Sequence, residues 1–155
     1  MKYPDLLPSL LIGAVASARS MSPMGALAAA HLAGRATPGR LMLLKQPLFT
    51  AGALMMGVGE LFGDKMKTAP ERTVALGLIA RIMSAGIAGA ALVPRGRERM
   101  GGAVAVATAV PLAYLTLAAR KKAMRQIGQT RSGLGEDLLV VCSALGVVIW
   151  ATRRR

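Results

Sequence analysis

Apolar residues in this chain come in long runs, separated by short basic stretches that contain proline and glycine. Five runs stand out, at about 6–32, 48–63, 73–93, 100–119 and 134–152. None shows the polar face that a surface helix of a soluble domain needs, so each is read as a helix packed in an apolar medium. The first run is longer than the ~20 residues a membrane crossing needs, and Ala18-Arg19-Ser20-Met21-Ser22-Pro23 interrupts it. Pro23 removes a backbone donor and disfavours helix at Ser22. The pattern therefore predicts a helix broken or kinked between Ala18 and Pro23, with a re-entrant pair of half-helices as the alternative. Pro47 suits the first turn of the second run, and Pro111 predicts a kink in the fourth. Pro94 to Arg99 reads as a tight basic turn, and Arg120 to Gly133 as a basic, polar connection. The fold expected is all-α: a polytopic transmembrane helical bundle of about five segments, forming a single membrane domain over 1–155.

Composition supports that class. Of 155 residues, 54% are hydrophobic and 3% aromatic, there are 18 glycines, and the mean hydropathy is +0.48. Gly- and Ala-rich helices pack closely in lipid, where small residues let backbones approach. Gly52, Gly57 and Gly59 give the second run such a strip. The net charge of +13 raises the question of nucleic acid. The cations punctuate apolar runs and few aromatics are available to stack bases, so membrane interfaces and anionic lipid are the expected partners. The single cysteine, Cys142, lies in an apolar run and excludes an intrachain disulfide. Lys2, the run from Leu6 and Ala16-Ser17-Ala18 imitate a secretory signal, and the reading adopted is a retained membrane helix.

Two regularities bear on assembly. Ala18-Arg19-Ser20-Met21-Ser22 is echoed by Ala80-Arg81-Ile82-Met83-Ser84, and both lead through a Gly- and Ala-rich run into a Pro/Gly/Arg turn. One reading is a repeat of 4–66 in 70–125 with a C-terminal helix, 134–152, left over; chance matching of small-residue sequence is the other. With five spans, nine basic residues fall on each side of the membrane, while Arg19 and Arg81 lie inside segments. Positive-inside bias then sets no orientation. A homo-oligomer is expected, a dimer in the first instance, whose subunits can run antiparallel.

The charges within or beside the apolar runs carry the candidate chemistry: Arg19, Glu60, Asp64, Arg81, Glu136 and Asp137. A charge in the bilayer core costs roughly 2.5–3.5 kcal/mol on insertion scales, so it persists where it pairs, lines water or binds something. Glu60 and Asp64 are four apart and share a helix face. Arg81 lies across a short loop from them, so that a buried Glu60–Arg81 pair facing the interior with Arg19 is expected. Arg19 beside a helix break, where backbone amides are freed, makes an anion site, against the plainer role of snorkelling to the interface. Glu136 and Asp137 point about 100° apart, so one of them faces inward, and both complement the positive end of a helix starting near Leu134. His31 is read as interfacial. No metal-ligand spacing, nucleophile elbow or phosphate loop is present, and neither a cofactor nor an enzyme activity is expected.

Glu60-Leu61-Phe62-Gly63-Asp64-Lys65, Pro70, Arg72-Thr73, Leu78-Ile79-Ala80-Arg81 and Gly86 to Ala91 together resemble the small bacterial membrane proteins grouped as domain of unknown function 4126. Arg19-Ser20-Met21-Ser22-Pro23 and Gly135-Glu136-Asp137 extend the resemblance over nearly the whole chain. Lys67 stands where that family often carries a proline. The resemblance implies a multi-pass protein of the bacterial inner membrane and supplies no activity. Two functions follow as expectations. One is a transporter or channel for a small solute or ion, built on the arginine and carboxylate set. The other is a structural, lipid-binding or accessory membrane component.

Overall fold

A computed structural model describes residues 5–39, 42–63, 75–127 and 129–153. Asp64 and the basic loop around it lie outside them. The described residues form helices and no strands: α1 (Leu7–Ala18), α2 (Ser22–Leu32), a 3-10 turn (Met42–Lys45), α3 (Pro47–Gly63), α4 (Ala75–Ala91), α5 (Glu98–Ile127) and α6 (Gln129–Arg153).

The break expected in the first run is present. Arg19 takes an extended backbone (φ −140°, ψ 121°) and ends α1 with its N–H on Val15 O. Met21 caps α2, and Pro23 sits in the first turn, where its missing donor is harmless. Past α2, Gly34 adopts φ 73°, the left-handed geometry that closes a helix end without a Cβ clash. Its N–H bonds to His31 O, and the Arg35 N–H reaches back to Ala30 O at 2.9 Å. Pro47 opens α3 as expected.

The long C-terminal helices depart from the sequence reading. The polar connection expected over 120–133 is helical up to Ile127 and again from Gln129. Ala119-Arg-Lys-Lys-Ala-Met-Arg-Gln is made of strong helix formers, and Lys121, Lys122 and Arg125 are exposed along it, so charge there sets polarity without ending the helix. Glu136 and Asp137 consequently lie two turns inside α6, whose first turn carries no acid. The expected role at a helix N-terminus does not apply to them.

The core is made by small residues at intervals of four. Gly101, Ala105, Ala109 and Ala113 form a buried stripe on α5, and α1 and α4 pack along that helix. A Cβ on Gly101 would sit 2.6 Å from Gly89 O, so α4 and α5 touch backbone to backbone. α1 contacts α2, α4, α5 and α6, whereas α3 packs chiefly on α2 and the 3-10 turn. α1 is thus central and α3 peripheral. Large apolar side chains lie on the outer surface: Leu48, Met55, Leu115, Leu138 and Leu139 are all more than half exposed. Two helices, over 98–126 and 133–153, are long and apolar enough to cross a membrane. Only 17% and 28% of their apolar windows are buried within the chain, unlike the core helix of a soluble protein, which would be mostly enclosed.

Candidate functional site at the helix break

Interrupting a helix frees carbonyls at the end of its first half and amides at the start of its second. Here each set is met by a different helix. On the α1 side, Ala16 O accepts from Arg81 Nε of α4 at 2.8 Å. Ser17 O accepts from Thr116 Oγ1 of α5 at 3.1 Å. On the α2 side, the Ser20 and Met21 amides donate to Glu60 Oε1 and Oε2 of α3, at 2.8 and 2.7 Å. Arg19 bridges outward from the gap itself. Its Nη1 donates to Glu60 O at 2.8 Å, and its Nη2 pairs with Asp137 Oδ1 of α6. All four remaining long helices therefore place one residue on the break.

The signs of these charges follow from helix electrostatics. The carboxyl end of a helix carries partial negative charge and the amino end partial positive charge. Arg81, a cation, meets the end of α1, and Glu60, an anion, meets the start of α2. Arg19 and Arg81 are each 1% exposed, the two largest fully buried side chains in the described molecule, and Asp137 is buried as well. Glu60 and Arg81, expected as a pair, take opposite sides of the same break. The four ionised groups sum to zero, the condition under which charge is tolerated in a poorly solvated interior.

Arg19, Glu60, Arg81 and Asp137 of the expected set are thus brought together. Arg19 is enclosed, so it does not snorkel to an interface. Of the adjacent acids, Asp137 faces inward to Arg19. Glu136 turns to the neighbouring helix, where its Oε2 accepts from Arg120 Nη1 at 3.0 Å. That bond lies one turn along α5 from Thr116 and forms a second polar contact beside the first. Asp64 is outside the described residues. The two echoed arginines occupy different local structure, Arg19 between helices and Arg81 within one, although both end on the same break.

Sequence reasoning missed Thr116, Arg120 and the carbonyls of Ala16 and Ser17. A threonine four residues before an arginine in an otherwise apolar run was the available signal, since that spacing puts both on one face. At the break, where an anion site beside Arg19 is expected, the amides of Ser20 and Met21 are taken by the chain's own Glu60. Comparison of the chain with protein-family models, with curated proteins and with solved structures finds no match. Among the described residues, no group of three or more His, Cys, Asp or Glu side chains is placed to hold a metal.

Two apolar cavities flank the centre without reaching its charged side chains. One, of about 510 Å³, lies between α2, α3 and α4. The other, of about 170 Å³, lies between α2, α3 and α6 and is lined by Ser22, Gly57 and Ala144 among others.

Proposed function

We propose that this is a polytopic protein of the bacterial inner membrane that moves a small anion, or a small solute bearing an anionic group, across the bilayer at the α1–α2 break. One observation carries the reading: the break holds a carboxylate by both oxygens on two backbone amides, beside a buried arginine. An anion displacing Glu60 would find the same donors. Discontinuous helices with their ends turned toward ions are the way many membrane carriers bind charged substrates near mid-bilayer. At about 1.5 Å per residue, α1 and α2 laid end to end reach about 35 Å, against a hydrocarbon core of about 30 Å. On this proposal the two count as one broken crossing and α3 to α6 as four more, five spans in all. Apolar α5 and α6 surfaces that the chain does not cover favour lipid as their surroundings. Assembly as a homodimer belongs to the same proposal, supported by the peripheral position of α3, and the even split of basic residues leaves an antiparallel pair open to it.

A second reading is favoured by a specific observation. Side chains of Glu60, Arg81 and Thr116 meet the backbone groups freed at the break, and the flanking cavities are apolar. On that reading the charges fasten the bundle and the protein is a structural or lipid-binding component. Uptake of radiolabelled acetate and of chloride into proteoliposomes separates the two. Transport predicts saturable uptake above protein-free vesicles, abolished by Arg19→Lys in protein that still assembles. Fastening alone predicts no uptake by the native protein, with Arg19→Lys lowering thermal stability.

A further inference from the structure

The cavity between α2, α3 and α4 does not belong to the ionic centre. Met21, Met24, Phe49, Met56, Met83 and Ser84 supply its most distinctive walls. Its volume of about 510 Å³ falls within the roughly 300–1,000 Å³ of small-molecule sites, which are apolar with one or a few placed polar groups. Ser84 is that group. It is 2% exposed, it lies on the cavity wall, and its hydroxyl has no hydrogen-bond partner among the described residues. A serine in a helix ordinarily bonds a carbonyl one turn back, as Thr108 does to Val104 O in α5. An enclosed hydroxyl left without a partner is costly, and native structures leave few of them.

We infer that this cavity is a binding site for a neutral, lipophilic small molecule carrying a single hydrogen-bonding group, which Ser84 receives. Charged ligands are disfavoured because no ionised side chain is among the described residues lining the walls. Four methionines suit a flexible apolar guest, since unbranched thioether side chains repack around irregular shapes. The way in is physically available, because Met56, Ile79 and Met83 on the cavity walls are each more than half exposed. Met21 also links the two sites: it lines the cavity while its amide is held by Glu60. The inference stands independently of anion transport.

A long-chain alcohol carrying a photoreactive diazirine, added to the purified protein in phosphatidylcholine vesicles, tests this inference. Unlabelled hexadecanol serves as competitor, and mass spectrometry maps the adducts. The expected result is saturable labelling on Met24, Met56 and Met83 that hexadecanol suppresses. Ser84→Ala should weaken it several-fold. Gly52 lines the cavity, and a Cβ there meets nothing within 4 Å, so Gly52→Phe should fill the space and abolish labelling with the bundle intact. Labelling that never saturates, spreads equally to Leu115 and Leu139, and survives Gly52→Phe would overturn the inference and mark the cavity as ordinary lipid-facing surface. Protection of Met56 and Met83 by crosslinkable contact with a second copy would overturn it too.

Discussion

Asp137 and Glu136 are neighbours in sequence with opposite fates, and their neutralisation separates the roles. Asp137→Asn leaves the enclosed Arg19 guanidinium without its counter-charge. Breaking a buried pair in this way costs about 3–5 kcal/mol. Glu136→Gln keeps an acceptor for Arg120 at a half-buried position and should cost clearly less. Unfolding in detergent, followed by helical circular dichroism, gives both values, and equal losses would mean that Asp137 is not the inward partner. Glu60 is tested by a graded series. Glu60→Gln retains one acceptor for the two break amides, whereas Glu60→Ala leaves both without a side-chain partner, each at about 1–3 kcal/mol if no water replaces it. Alanine should therefore be the more destabilising change, and reversal of that order would contradict the capping geometry.

Helices in this chain were legible in the sequence wherever local chemistry decides. Pro23 together with Arg19, Ser20 and Ser22 placed the α1–α2 break, and Pro47 placed the start of α3. Arg120 to Gln126 misled because charge density was read as a connection, although the residues are strong helix formers and the helix simply continues with Lys121, Lys122 and Arg125 exposed. Which acid meets which arginine was not legible. Arg19 and Asp137 are 118 positions apart, and only the packing of α1 and α2 on α6 brings them together. Sequence did place Glu60 and Arg19 in one site, since charges within apolar runs are expensive in lipid unless they meet, but it did not show that Glu60 itself takes the amides of the break. Glycine tests the packing of elements directly. Gly101→Ala drives a methyl toward Gly89 O and Val93, and should destabilise the α4–α5 contact in detergent unfolding. Gly146→Ala on α6 meets nothing within 4 Å and should be neutral or gain up to about 1 kcal/mol from helix propensity.

At the scale of the molecule, the peripheral helix and the central broken one divide the work. α1 and α2 gather the charges, α4 to α6 enclose α1, and α3 contributes Glu60 to one side and a cavity wall to the other. The ionic centre has the proposed meaning only if the apolar surface around it meets lipid, because in water an internally paired cluster of this kind would need no further role. Cys142 reports on that condition without any mutation. It is the single cysteine of the chain, it is exposed, and it lies near the middle of the 133–153 span, about 7.5 Å along α6 from Asp137 at 1.5 Å per residue. The most direct measurement is the rate at which Cys142 reacts, in permeabilised native membranes, with a charged water-soluble maleimide and with a lipid-soluble one. The membrane account predicts reaction with the lipid-soluble reagent and resistance to the charged one until the protein is unfolded in dodecyl sulfate. Rapid labelling of the folded protein by the charged reagent would place α6 in water and contradict the account.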